Sequence, residues 1–252
     1  MDLTRLLIIC PLVFIAGFVD SIAGGGGLIS LPAYIFIGLP IHTAYGTNKF
    51  SSSFGTFLSA LRFIKNRKVH FLAAIFSVIT ALIGSYLGAR AALSLDDSFL
   101  KYTLIILIPI IAIFILLKKN FGVKDKTKER SLIVIIILSM LAGLILGAYD
   151  GFFGPGTGSF LILTFTTIIG FDILTASGNA KMINLASNVA ALITFYRAHQ
   201  VNLYYGVPAA ICGILGNYIG SGIAIKRGNT IIKPLFIIVL ILLLIKIVLD
   251  IV

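Results

Sequence analysis

Ten apolar runs fill this chain, at about 5–22, 28–39, 43–64, 70–91, 99–117, 131–149, 157–170, 174–196, 202–225 and 231–250. A helix needs roughly 17–25 apolar residues to cross the hydrocarbon of a bilayer, and most of the ten qualify. Lipid offers the backbone no hydrogen bonds, so such runs satisfy themselves as helices. The expected fold class is therefore an all-α polytopic membrane protein. Composition agrees, with 59% hydrophobic and 12% charged residues against about 25% charged in soluble domains. The formal charge of +11 invites a nucleic-acid reading, but the basic residues lie mostly between apolar runs. That is where a membrane protein keeps Lys and Arg, and no nucleic-acid partner is expected. The first 23 residues resemble a signal peptide, with Arg5, an apolar run and Ser21-Ile22-Ala23. Many spans follow, however, and this one has a later copy, so it reads as a retained helix. Cys10 and Cys212 sit in apolar runs without a CxxC spacing and read as buried thiols.

Two runs, 28–39 and 157–170, are short, and each follows a break. The first break is Gly24-Gly25-Gly26-Gly27, with Asp20 before it and Pro32 after it; the second is Asp150-Gly151-Phe152-Phe153-Gly154-Pro155-Gly156-Thr157-Gly158. Each glycine costs about 1 kcal/mol relative to Ala inside a helix, so neither stretch continues a helix cheaply. The halves match around these breaks. Asp150 and Gly154 follow Asp20 and Gly24 by 130 residues; after a two-residue indel the offset is 132 for Gly46 with Gly178, Lys49 with Lys181, Tyr86 with Tyr218 and Gly88 with Gly220. The expected organisation is a first repeat over 1–117, a basic linker over 118–130 and a second repeat over 131–252.

Orientation follows from the short loops. Lys65, Arg67 and Lys68, the linker lysines, and Lys226, Arg227 and Lys233 all satisfy the bias if placed in the cytoplasm. Corresponding loops then fall on opposite sides, so the repeats are expected to be inverted. That needs an odd number of crossings per half: five if the short runs cross, three if the first two runs form a re-entrant hairpin. Four would give parallel repeats and put Lys226 and Arg227 outside. The expected location is the cytoplasmic membrane, as a multi-pass protein.

Inverted repeats with broken helices build many secondary transporters, with the substrate near the midplane. A helix that starts after a break presents unpaired N–H groups and a positive dipole end, a ready anion site. The candidate binding residues are therefore Gly25, Gly26, Gly27, Asn48 and Lys49 in one half, and Gly156, Thr157, Gly158, Asn179 and Lys181 in the other. The plainer reading of glycine is close helix packing, and it suits Gly84, Gly88, Gly216 and Gly220. Lys49 and Lys181 lie about seven residues into their runs, where a lysine costs about 2.5–3.5 kcal/mol on insertion scales. Anion coordination and structural pairing with an acid are both open for them. Asp20 and Asp150 are candidates to balance that charge or to couple protons. Ser51, Ser52, Ser53, Thr56, Asn184, Ser187 and Asn188 would wet such a cavity. His42, His70 and His199 lie near run ends, and neither a metal nor a cofactor is expected. No P-loop, HExxH or Ser/His/Asp spacing occurs, so an enzyme is not expected.

The chain resembles the TauE/SafE sulfite exporter family. The likeness rests on Gly17, Gly24 to Gly27, Pro32, Gly38, Ala44 and Gly46-Thr47-Asn48, and on a second copy in Gly147, Gly154-Pro155-Gly156-Thr157-Gly158, Gly170, Ala176, Gly178-Asn179 and Lys181. It implies passage of sulfite, thiosulfate, sulfonates or related anions by an ion-coupled route. The partners expected are thus a small anion, a coupling proton or ion, and the bilayer. Pro155 removes one N–H donor, so the two half-sites are not expected to bind identically. The alternatives are a passive anion channel, a membrane-embedded enzyme recruiting the Asp/Lys set, and a structural subunit with no pathway and a dry core around Lys49 and Lys181. On this reading, Lys49→Ala or Lys181→Ala should each abolish anion uptake while leaving insertion intact.

Overall fold

A computed structural model describes residues 3–100, 102–103, 106, 125, 127 and 130–227. The runs expected at 231–250 and over most of 99–117, and most of the basic linker, lie outside the described residues. Among the described residues the framework is made by α1 (Leu3–Ala23), α2 (Gly27–Phe36), α3 (Ile41–Lys65), α4 (Phe71–Leu93), α5 (Leu132–Phe152), α6 (Thr157–Thr164), α7 (Ile173–Arg197) and α8 (Leu203–Arg227). One order occurs twice: a long helix, a short one after a glycine break, a 25-residue helix and a long helix.

Lipid-facing and buried residues separate in a way opposite to a soluble protein. On α4 the exposed positions include a stripe of Phe71, Ile75, Ile79, Ile83 and Leu87, one residue per turn. On α8 the matching stripe is Leu203, Val207, Ile211, Leu215 and Ile219. Such apolar stripes are at home only against hydrocarbon. Among the described helices, α1, α4, α5 and α8 are long and apolar enough to cross a membrane. The 25-residue α3 and α7 are more polar. They bury Asn48, Lys49, Ser51 and Thr56, and Asn179, Lys181, Asn184 and Asn188, respectively.

Small residues set how the helices meet. Gly84 packs on the Leu144 carbonyl and Gly88 on that of Ala148; Gly216 packs on Phe14 and Gly220 on Phe18. A Cβ at any of the four would overlap neighbouring backbone, so these are the close-packing glycines the sequence suggested. The contacts also give direction. Val13, Gly17 and Ser21 of α1 meet Gly213, Asn217 and Gly220 of α8, so α1 and α8 run the same way. Gly143, Gly147 and Gly151 of α5 meet Ser77, Ala81 and Ser85 of α4, so this pair is parallel too. The α3 and α7 helices are antiparallel: Gly46 meets Phe195 and Gln200, and Gly178 meets Lys68 and Val69.

Both short runs are too short to span. The 10 residues of α2 rise about 15 Å, and α2 folds back along α1, with Gly26 against Ala16 and Asp20 and Gly38 beside Arg5. Helix α6 has 8 residues and continues as a π-helix over Phe165–Ile169 that stops at Gly170, where φ is 100°. The cysteines are free and half-buried rather than buried.

Candidate functional site

The two breaks touch. Gly24, at φ 78°, lies with its backbone against Gly158, and a side chain on either would strike the other. The Ser159 N–H donates to the Gly24 carbonyl at 3.2 Å, and the Ser159 hydroxyl to the Ala23 carbonyl at 2.8 Å. The start of α6 is thus partly spent on the end of α1. The start of α2 has no such cap from the other half: Gly26 and Gly27 face a cavity, with Gly27 beside Pro155.

That cavity has a volume of about 30 Å³, room for roughly two waters. Its wall includes Gly24, Gly26 and Gly27 from the first break and Gly154 and Gly158 from the second. Its polar groups include Asp20, Asn48, Lys49, Asp150, Asn184, Asn188 and Asn217, with hydroxyls from Ser30, Ser51, Ser52 and Thr56.

The lysines and aspartates pair across the halves. Lys49 Nζ lies 2.8 Å from Asp150 Oδ2, both 2% exposed. The same amine donates to Asn188 Oδ1 at 3.1 Å, and the Ser187 hydroxyl donates to the Asp150 carboxylate at 2.5 Å. Lys181 Nζ lies 2.6 Å from Asp20 Oδ2, at 1% and 15% exposure, and also donates to the Asp20 carbonyl. That carbonyl belongs to the last turn of α1, the negative end of its dipole. Each ammonium therefore sits where one broken helix ends, held by the other half. A buried charge pair is tolerable only when paired and hydrogen-bonded, and both pairs are.

Around them runs a polar chain. The Ser30 hydroxyl donates to Asn48 Oδ1 at 2.6 Å, and the Tyr34 hydroxyl to that of Ser51 at 2.8 Å. Asn188 Nδ2 donates to Asn184 Oδ1 at 3.1 Å. The Ser59 hydroxyl donates to Asn217 Oδ1 at 2.8 Å. These fixed amides and hydroxyls give the cavity wall both donors and acceptors.

Of the sequence-predicted residues, Gly26, Gly27, Asn48, Lys49, Gly158, Asp20 and Asp150 line the cavity. Gly25, Gly156, Thr157, Asn179 and Lys181 are not in its wall. Gly156 adopts φ 82° as the residue before α6, and the Thr157 hydroxyl donates to the Gly154 carbonyl at 2.7 Å. Asn179 turns its Nδ2 back to the Thr175 carbonyl, 2.8 Å away in its own helix. Asn217 and Gly213 escaped the sequence reading. A lone Asn in the small-residue stretch 213–222, aligned with Ser85, was the available signal. No group of three or more His, Cys, Asp or Glu that would hold a metal occurs among the described residues.

Comparison with known proteins gives a consistent picture. A family model described as "Sulfite exporter TauE/SafE" matches residues 9–247. A "Probable membrane transporter protein" of Haemophilus influenzae is 35% identical over 237 residues, covering 94% of this chain and 92% of the relative. "Probable membrane transporter protein ORF9" of Sinorhizobium sp is 37% identical, covering 94% and 90%. "Probable membrane transporter protein YfcA" of Escherichia coli K12 is 32% identical over 225 residues, covering 89% and 82%. No solved structure matches.

Proposed function

The chain belongs to the sulfite exporter TauE/SafE family and is a membrane transporter; on that premise we propose that it moves a small sulfur-containing oxyanion across the cytoplasmic membrane by secondary transport. Sulfite, thiosulfate and sulfonates are the candidate substrates, and the family's description is the support for that class. The observation that carries the reading is Lys49: a 2% exposed ammonium on the wall of a polar cavity, shared between Asp150 and Asn188.

In the resting arrangement Asp150 balances Lys49. A proton taken up by Asp150 releases the ammonium to an incoming anion. A proton and a monoanion, such as hydrogen sulfite or a sulfonate, enter together, and the buried charge of the site stays unchanged; a dianion such as thiosulfate needs a second proton. The start of α2, at Gly26 and Gly27, supplies a positive dipole end on the same cavity. Lys181 and Asp20 tie α7 to the end of α1 at the first break.

The proposed topology is a pair of inverted repeats. Its support is directional: α1 is parallel to α8, α4 to α5, and α3 antiparallel to α7, so α1 and α5 point opposite ways. The α3–α4 turn, the end of α8 and the start of α5 then share a side, which gathers Lys65, Arg67, Lys68, Lys226, Arg227 and Arg130 there. By the positive-inside rule this side is the cytoplasm. The back-folded α2 supports the re-entrant option with three crossings per half.

Proteoliposomes with an imposed pH gradient test the proposal. Labelled sulfite or thiosulfate should accumulate above its equilibrium level, unchanged chemically, and Lys49→Ala should reduce uptake to background. Flux that only ever runs down the anion's own gradient would instead make the protein a passive channel.

A further inference from the structure

The transport site leaves one cationic groove unused. It has a volume of about 470 Å³ and lies at the ends of α4 and α7, lined by Tyr86, Arg90 and Ser94 on one side and Ile193, Thr194 and Arg197 on the other. Arg90 donates to the Tyr86 hydroxyl at 3.2 Å, and its guanidinium carbon lies 5.7 Å from that ring's centre. Among the described residues, neither arginine pairs with an acid.

The repeat supplies a comparison. At an offset of 132, Tyr86 corresponds to Tyr218, Arg90 to Gly222, Thr194 to Arg62 and Arg197 to Lys65. In that counterpart Arg62 lies across the groove. Its guanidinium carbon sits 4.3 Å from the centre of the Tyr218 ring, it donates to the Tyr218 carbonyl, and it occupies the space beside Gly222. The protein's own side chain fills that groove. At the α4–α7 end, Thr194 is too short to do the same, and two guanidiniums stand around the space instead.

The flanks decide what class of anion suits it. Leu87, Ile193 and Tyr196 are exposed apolar neighbours on faces turned to lipid. A cationic head beside an apolar flank at a helix end matches the level where a phosphate group meets acyl chains. We propose that this groove binds the phosphodiester headgroup of an anionic phospholipid, with acyl chains along Leu87 and Ile193. A free anion would use the arginines and leave the apolar flank idle. Because α7 also carries Asn184 and Asn188 of the cavity wall, a bound lipid would pin the far end of that helix.

The test uses the purified full chain in detergent with short-chain phosphatidylglycerol, short-chain phosphatidylcholine or inorganic phosphate, read by thermal shift and native mass spectrometry. Phosphatidylglycerol alone should be retained and should stabilise. Arg90→Ala with Arg197→Ala should weaken its binding by roughly tenfold or more for each arginine, since each change removes a charge-assisted hydrogen bond. Thr194→Arg, which copies the Arg62 plug and keeps both arginines, should abolish the lipid effect while anion uptake persists. Equal stabilisation by phosphatidylcholine, an equal effect of inorganic phosphate alone, or unchanged phosphatidylglycerol binding in Thr194→Arg would each overturn the proposal. Should the double alanine variant not fold, Thr194→Arg decides. None of these outcomes depends on Lys49 being the transport lysine.

Discussion

Lys49–Asp150 and Lys181–Asp20 occupy equivalent positions in the two halves, yet they are not equivalent in space. The first pair stands on the cavity wall, and its ammonium also reaches an amide, Asn188, that itself faces the cavity. In the second pair the ammonium is turned away from the wall and held by both the side chain and the main chain of Asp20. Duplicating a buried charge pair thus yielded one pair on the cavity wall and one that ties a helix end. The difference arises at the breaks. Ser159 ties the start of α6 to the end of α1, whereas Gly26 and Gly27 leave the start of α2 facing the cavity.

The comparison breaks most visibly under neutralisation of each pair. Lys49→Met with Asp150→Asn removes both charges without leaving one buried alone, and uptake in proteoliposomes should fall to background with a normal yield of folded protein. Lys181→Met with Asp20→Asn should keep measurable uptake; equal loss in both doubles would restore the symmetrical reading of the lysines. Single removal is harsher, since leaving one partner of a buried pair unpaired costs about 3–5 kcal/mol. Lys181→Ala alone is therefore expected to lower the thermal midpoint and yield, beyond any effect on uptake.

The contact between the breaks is the next target. Gly24→Ala forces a side chain into both the left-handed region and the Gly158 backbone, and should cost more than about 3 kcal/mol. Gly27→Ala meets Pro155 at 3.3 Å and the Gly154 carbonyl at 3.6 Å, so its midpoint in detergent should fall far less. Asn188→Ala removes one of the partners of the Lys49 ammonium, and should raise the apparent KM for the anion more than it lowers the maximal rate. The smallest effect belongs to Ser159→Ala, which deletes one hydrogen bond to Ala23 and should cost about 1 kcal/mol, seen as a small shift in thermal midpoint with uptake retained.

Much of the fold was legible residue by residue. The helix starts at Gly27 and Thr157 fall where glycine makes continuing a helix costly, and the exposed stripe from Phe71 to Leu87 follows from hydrophobicity. The close-packing role of Gly84, Gly88, Gly216 and Gly220 was also readable, because it needs only a small residue on one helix face. The site was legible as an inventory of Lys, Asp and Asn, but its wiring was not. Either aspartate could have served either lysine. Asn179 was a candidate alongside Asn48, yet its amide bonds to its own helix. Asn217 belongs to the wall although it lies in a run whose small residues signal packing.

The order of residues alone makes this chain helical, surrounds it with lipid and sets where its helices break, because hydropathy and glycine's backbone freedom act within a few residues. Only the packed fold brings the breaks together, gives each lysine to the opposite half, and turns Lys49 rather than Lys181 toward the cavity. Those outcomes depend on how α1 lies along α8 and α4 along α5, contacts between residues far apart in the chain that no local preference encodes.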